Sequence, residues 1–491
     1  LTGHPPPTRR AAITEVCASL RPGEPLPSVV AMGVVLARGS EHRSEDPVGW
    51  PARAVARIWA LINVGECGEA SAVAQRLRSD LDDGLGPDLS RIARQAVSLV
   101  CAEAFLRDGR PGDALPHART AARRAWQAGA RRETIHALGL LAAALVIDGR
   151  TAEADARCRA ARHLLSGADL RTDSGRALTH LDVWSLVLAE AFVVFRGRDR
   201  AGLDMLATEL ASRGSGTGLR WMIPLVGVLR STLDKDFGTA AALAQKVRGS
   251  VILPGCPPLI SQYMADRQGS ALIQLGSPGE ALELLDGMTS SSGHAVCFPK
   301  VRAGAHLQLG RPRSALACTQ ECVDDAEGHS RLALAAVLVR RAAAFEAVGR
   351  PHEADRAFVE CLRILEGLGG FVPEIGVPIP ALTVIARRVT RLEPDLVRRV
   401  LDAIVPSDAM LGVLGERLPD DRLSDREREV ARLLVLGLSR RRIADELAVS
   451  ANTVKTQVRS LYRKLGVGSR REAVARLDAE GFGEPSGPPP R

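Results

Sequence analysis

At 491 residues the chain exceeds one ordinary core, so two or more domains or a repeat array are required. Apolar residues reach 46 % but aromatics only 3 %, a core of Ala, Leu and Val that favours close-packed helices over a β-sandwich. The net charge is +8, and residues 421–481 hold 14 Lys or Arg against 9 Asp or Glu, so +5 of that excess sits near the end of the chain. The longest uncharged run, residues 249–265, contains Pro254, Pro257 and Pro258, which excludes it as a good membrane span.

Residues 1–45 mix Pro5, Pro6, Pro7, Pro22, Pro25 and Pro27 with Gly, charge and one apolar piece at 29–36, and support no fold assignment. Arg9 and Arg10 are followed by Glu15 before any apolar core, so no secretory signal is expected and cytoplasmic residence follows. The first residue is Leu1 rather than Met, which fits a non-standard start, a processed end or a lost upstream segment.

From 46 to 368 a repeat emerges once helix-ending glycines are aligned. Six windows share a Gly followed five residues later by Ala: 65–70, 109–114, 149–154, 276–281, 310–315 and 349–354. Seven residues before each Gly stand Ile58, Ala102, Ala142, Gly269, Ala303 and Ala342, small in five of six cases, as two closely approaching antiparallel helices require. This pattern resembles a degenerate tetratricopeptide repeat, strongest at 102–162 and 265–365. Between 170 and 255 the helices expected at 183–195 and 219–230 lack the signature, and continuity there rests on length and periodicity. Stacked helix pairs of this kind build an elongated superhelix whose concave surface binds peptides, proteins or small ligands.

Isolated polar residues in the array, His136, His306 and His352, read as surface or satisfied interhelical groups, and Trp50, Trp59, Trp126, Trp184 and Trp221 as packing anchors. Cys17, Cys67, Cys101, Cys158, Cys256, Cys297, Cys318, Cys322 and Cys361 form no CxxC and no Cys/His spacing for a tetrahedral metal site, so reduced, mostly buried thiols and no metal are expected. Cys318 and Cys322, one helical turn apart, read as core filler. Residues 369–420 change character through Gly369, Gly370, Pro373, Pro378 and Pro380, then a helix within 381–404, and a connector after Pro406 that would act as a hinge. The Pro- and Gly-rich tail, 482–491, is expected to be disordered.

The stretch 423–479 reads as four short helices. Ser424 with Glu427 forms a capping box, Val430, Leu433 and Leu434 face the core, and Gly437 ends the first helix. Ser439 opens a second helix with Ile443, Ala444 and Leu447 on one face. Ser450 opens a third, whose stripe of Val454, Val458, Leu461 and Leu465 leaves Asn452, Lys455, Thr456, Arg459 and Arg463 on the other side. A basic face carrying amide and hydroxyl groups suits the major groove.

These residues resemble the LuxR-type helix-turn-helix through LSDREREV (423–430), GLSRRRIADEL (437–447), VSANTVKTQV (449–458) and RKLGV (463–467), then Glu472, Ala473 and Val474. The resemblance places Thr453 and Lys455 on positions that contact DNA. Lys455, Thr456 and Arg459 are the expected base contacts, and Ser439, Arg440, Arg441, Thr453, Arg463 and Lys464 the expected backbone contacts. Arg440, Arg441 and Arg442 crowd a helix N-terminus, against the helix dipole unless a phosphate sits there. Relatives often carry an acidic residue where Arg442 stands and His where Gln457 stands. The fourth helix, 470–479, commonly forms a dimer contact, which would fall on Val474 and Leu477, although both also suit packing onto the first helix.

The sequence therefore implies an all-α protein: a tetratricopeptide-like helical superhelix followed by a four-helix LuxR-type helix-turn-helix domain. Its segments are 1–45 of unknown fold, 46–368 repeats, 369–420 connector, 421–481 DNA-binding domain and 482–491 tail. The expected function is sequence-specific transcription regulation, with double-stranded DNA as partner, a protein or small-molecule effector at the repeats, RNA polymerase or another transcription protein as a further partner, and a homodimer on DNA. No membrane association is expected. Large LuxR-type regulators with helical repeats often carry a nucleotide-binding module, but no GxxxxGK[ST] and no Gly-Lys dipeptide occurs, so no cofactor is expected. No G-x-S-x-G elbow or clustered His supports an enzyme. The alternatives are a truncated relative of the ATP-dependent regulators and a repeat scaffold with a vestigial DNA-binding domain.

Overall fold

The computed structural model describes residues 50–82, 91–166, 180–212, 219, 221–249, 256–290, 294–326, 328–368, 370–371, 377, 379–405, 425–447, 449–450, 453–455, 457–458, 461–462, 467 and 469–479. The expectations for 1–45, the connector after Pro406, the cap at Ser424 and the tail lie outside these residues. The chain divides into two compact units, residues 1–385 with 395–407, and residues 386–394 with 408–491. Among the described residues no helix is long and apolar enough to cross a membrane.

The first unit is a run of antiparallel helices: α1 (Trp50–Val64), α2 (Cys67–Asp80), α3 (Arg91–Arg107), α4 (Pro111–Gln127), α5 (Arg131–Asp148), α6 (Thr151–Ser166), α7 (His180–Arg196), α8 (Arg200–Ser212), α9 (Met222–Leu233), α10 (Phe237–Gly249), α11 (Pro258–Gln274), α12 (Pro278–Leu284), α13 (Phe298–Gln308), α14 (Pro312–Cys318), α15 (Gln320–Asp324), α16 (Arg331–Ala347) and α17 (Pro351–Leu368). Two two-residue strands, Gly370–Phe371 and Ile404–Val405, pair in parallel. The helices α18 (Ile379–Leu392) and α19 (Pro394–Ala403) lie between those strands in the chain.

All six glycines of the sequence repeat end a helix with positive φ, between 66° and 100°. After each, the next residue's amide reaches back five residues to a helix carbonyl, from Glu66 to Leu61 through Arg350 to Phe345, at 2.8–2.9 Å. The Ala five residues on is enclosed every time: Ala70, Ala114, Ala154, Ala281, Ala315 and Ala354. So are Ile58, Ala102, Ala142, Ala303 and Ala342, and a Cβ on Gly269 would come 3.1 Å from Val301.

The stretch without the glycine signature makes the same turn twice. Arg198 (φ 55°) and Lys235 (φ 58°) take the left-handed position, and Asp199 and Asp236 donate back to Val194 and Ser231 at 3.1 and 2.9 Å. Seven residues earlier stand Ala191 and Val228, five later Leu203 and Ala240, all buried. Among the described residues this stretch therefore keeps the turn of the repeat and lacks only its glycine, where two basic residues hold a conformation that costs an L residue roughly 1 kcal/mol or more.

The array also meets itself. The Ser330 hydroxyl donates to the Ile147 carbonyl at 3.1 Å, and a Cβ on Gly149 would come 2.8 Å from the Leu368 side chain. Residues far apart in the chain, at the ends of α5 and α17 and the start of α16, therefore share one surface.

Polar groups are buried at the helix crossings. Glu103 accepts from Arg107 Nε at 2.5 Å and Trp184 Nε1 at 2.9 Å, and pairs with His136 Nε2 at 2.9 Å. Burial alone would raise the Glu103 carboxyl, but Arg107 and His136 outweigh it and hold the group at about 2. His136 is thus an interhelical group, but it is satisfied at Nε2 only: its buried Nδ1 has no hydrogen-bond partner among the described residues. Trp50, Trp59, Trp184 and Trp221 are buried, whereas Trp126 is 66 % exposed on α4 and anchors no core. Its ring falls on the solvent side because the buried face of α4 is already set by Ala114, Ala118, Ala121 and Ala125.

Candidate functional sites: a nucleic-acid interface and a cationic cavity

In the second unit, α20 (Asp425–Val435), α21 (Arg440–Glu446), helical residues at 453–455, 457–458 and 461–462, and α22 (Arg470–Ala479) surround one apolar cluster. Val430, Leu434, Ile443, Val454, Val458, Leu461 and Ala473 are each at most 2 % exposed, with Leu433 and Leu447 packed against them. Gly437 (φ 81°) ends α20, and the Leu438 amide returns to the Leu433 carbonyl at 3.1 Å. Ser439 then caps α21: its hydroxyl accepts from the Arg442 amide at 3.4 Å. Ser450 does the same for the next helix, accepting from the Thr453 amide at 3.0 Å and lying 2.8 Å from the Thr453 hydroxyl. Ser469 caps α22 through the Glu472 amide.

Two ties fix the turn geometry. Arg470 donates to the Leu438 carbonyl at 2.7 Å, joining α22 to the turn before α21, and Arg426 donates to the Leu447 carbonyl at 2.8 Å. With the core satisfied by apolar residues, the basic side chains are left outside. Arg440, Arg441, Arg442, Thr453 and Lys455 are all exposed. None of the four cations among them forms an ion pair among the described residues. A face of unpaired cations beside a capped helix start is suited to phosphate and to base edges.

Thr456, Arg459, Arg463 and Lys464 lie outside the described residues. Gln457 is half-buried and its Oε1 has no hydrogen-bond partner among the described residues. Of the two residues expected at a dimer contact, Val474 is half-buried, but Leu477 is wholly enclosed in the domain's own core. That corrects the expectation for Leu477: a side chain with no exposed surface cannot meet a second subunit.

The first unit holds a cavity of about 120 Å³ that is partly open to its surroundings. Leu188, Phe192 and Phe195 on α7, Ile260 and Tyr263 on α11, and Leu365 on α17 supply an apolar wall. Into the same lining fall four cations, Arg196, Arg267, Lys300 and Arg340, but a single carboxylate, Asp266. Asp266 is fully buried and bound by Lys300 Nζ at 2.8 Å and Arg267 Nη2 at 2.5 Å. Burial would raise its carboxyl, yet those two cations outweigh burial and lower it. Arg196 donates to the Thr151 hydroxyl at 3.2 Å and Arg340 to the Ala336 carbonyl at 2.7 Å, and burial brings both guanidinium groups down to about 10. They stay charged at neutral pH, and Nε of Arg340 is buried with no hydrogen-bond partner among the described residues. The cavity thus carries more positive than negative charge in an apolar shell. None of its charged residues was singled out in the sequence, because they come from four helices and share no motif.

A second constellation overturns the reading that no Cys/His set comes together. His294, Cys297, Cys322 and His329 place one ligand atom each within 4.8 Å of one another. Their sequence spacing, His-x2-Cys and Cys-x6-His, hides this, since α13 and α14 intervene and carry the chain back. Cys322 faces Cys297 rather than Cys318, whose thiol points to the Ala315 and Pro299 carbonyls.

Residues 421–477 match the family model of bacterial regulatory proteins of the luxR family. The HTH-type transcriptional regulator MalT of Serratia proteamaculans is 54 % identical over 52 residues, covering 11 % of this chain and 6 % of that protein. The chain therefore spans a small fraction of the curated relative it matches, and the likeness is confined to the terminal domain.

Proposed function

From a LuxR-type helix-turn-helix domain joined to an array of tetratricopeptide-like helix pairs, we propose a transcription regulator whose terminal unit reads operator DNA and whose helical unit binds an effector. The exposed, unpaired basic face on the capped helices supports the first half. In this reading Lys455, Thr456 and Arg459 meet base edges, and Ser439, Arg440, Arg441, Thr453, Arg463 and Lys464 meet the sugar-phosphate backbone. Val474 lies at the contact of a homodimer that sets two recognition helices roughly 34 Å apart. The cell compartment is the cytoplasm, where RNA polymerase would be met.

Duplex binding across a salt series tests it. Lys455→Ala with Arg459→Ala should abolish sequence preference while leaving non-specific binding, whereas Arg441→Ala should lower affinity for all sequences and reduce the salt slope by about 0.9. Retained sequence preference in the double variant removes the base-contact assignment.

For the effector the observation that carries the reading is the cationic, apolar-walled cavity. It suits a small anion whose apolar body is smaller than benzene, since its volume falls below the roughly 150 Å³ of an apolar cavity that accepts benzene. Arg340 is its anion partner. Thermal unfolding with a panel of short-chain aliphatic carboxylates should show stabilisation of the wild-type chain that is absent in Arg340→Leu, and an equal response of both chains excludes the cavity as the site.

A further inference from the structure

We propose that His294, Cys297, Cys322 and His329 bind one zinc ion as a closed structural site of the helical unit. The ligand set is the first ground. Two thiolates and two imidazoles are a borderline-soft set that suits zinc, and four protein ligands fill a tetrahedron, so the ion holds structure and leaves no open position for chemistry.

Geometry is the second ground. With Zn–S of about 2.3 Å, tetrahedral thiolates stand about 3.8 Å apart. Sγ of Cys297 and Cys322 are 3.7 Å apart. Nδ1 of His294 lies 3.9 Å from the Cys322 sulfur and 2.8 Å from Nε2 of His329. The last separation is shorter than two zinc-bound nitrogens would show, so the imidazoles must part by a few tenths of an ångström to admit the ion. Three of the four residues are buried and His294 is half-buried.

The surroundings are the third ground. Nδ1 of His329 lies 3.2 Å from the Ser330 carbonyl, to which it donates, so Nε2 keeps its lone pair and faces the other ligands. His294 sits at φ 40°, in the left-handed region, as Arg198 and Lys235 do at their turns. That backbone places Nδ1 toward His329 and Cys322.

The site ties three separate segments: the loop before α13, helix α15 and the loop before α16. Ala295 and Val296, between the first two ligands, line the cavity, and Ser330, next to the last ligand, makes the closing hydrogen bond to Ile147. A metal here would pin both the cavity wall and the closure of the array.

Metal analysis of the full chain, purified without chelator and dialysed, tests this directly. The expected result is one zinc per chain, falling to less than a tenth of that in Cys297→Ser with Cys322→Ser and unchanged in Cys101→Ser. Cobalt exchanged into the wild-type chain should show thiolate charge-transfer bands and ligand-field bands of tetrahedral intensity. His329→Cys, which keeps four ligands, should retain the metal and strengthen the charge-transfer bands, and so remains informative if the serine variants do not fold. A wild-type chain without zinc that gives cobalt no thiolate bands overturns the proposal. So does zinc retained in the double variant, or a Cys297–Cys322 disulfide found by peptide mapping of the native chain.

Discussion

The two units place their charged residues in opposite ways. In the terminal unit charge is almost wholly outside: the cluster around Val430, Ile443, Val458 and Leu477 is apolar, Glu427 is the one buried charged residue among those described, and Arg440, Arg441, Arg442 and Lys455 face solvent. The helical unit instead buries Glu103, Arg107, Arg196, Asp266, Arg340 and Arg341. A surface of unpaired cations meets a large charged polymer, whereas charges held inside an apolar shell can be compensated only by each other or by something small enough to enter. Under the proposed function this difference separates the partners by size: an external polymer for one unit, a small ligand for the other.

The contrast predicts where a lost charge is felt. Asp266→Ala leaves the half-buried Arg267 and Lys300 without their counterion and should cost about 3 kcal/mol in denaturant unfolding of the helical unit, whereas Arg441→Ala should stay within about 0.5 kcal/mol. Equal costs would erase the distinction. A smaller effect is set by pH. Glu103 has its folded value depressed to about 2 from an ordinary 4.5, so the unfolded chain binds more protons in this window. The stability it supplies is complete above pH about 4.5 and is lost as pH falls through about 2, and Glu103→Gln should flatten that acid limb in circular-dichroism titrations. The smallest expected change concerns backbone alone: Arg198→Gly and Lys235→Gly should each stabilise by up to about 1 kcal/mol, and Gly349→Ala should destabilise by at least as much. Thermal unfolding of the single variants separates these signs.

Legibility in the sequence follows the same division. The terminal domain is contiguous, so caps at Ser439 and Ser450, the stop at Gly437 and the apolar stripe of Val454, Val458 and Leu461 could be read within one window. Leu477 was ambiguous because a residue on a four-helix surface and one in its core share the same spacing. In the helical unit the glycine turns were legible and the turns at Arg198 and Lys235 were not, since nothing in an Arg or Lys announces positive φ. The cavity and the Cys/His cluster were invisible for another reason: Arg196 and Arg340, or Cys297 and His329, become neighbours only after the helices stack, and no local spacing encodes that.

The hydrogen bond from Ser330 to Ile147 spans 183 residues of chain. An open solenoid is additive, its stability a sum over neighbours, and units can be inserted or deleted without consequence for distant ones. Once residues this far apart are joined, the number of helix pairs between them is fixed, and a duplication or loss anywhere from α6 to α15 moves one partner out of reach. Contacts of such sequence separation also slow folding, because the intervening chain must be ordered before they form. Refolding of this unit should therefore end in a late step, the joining of its first and last thirds.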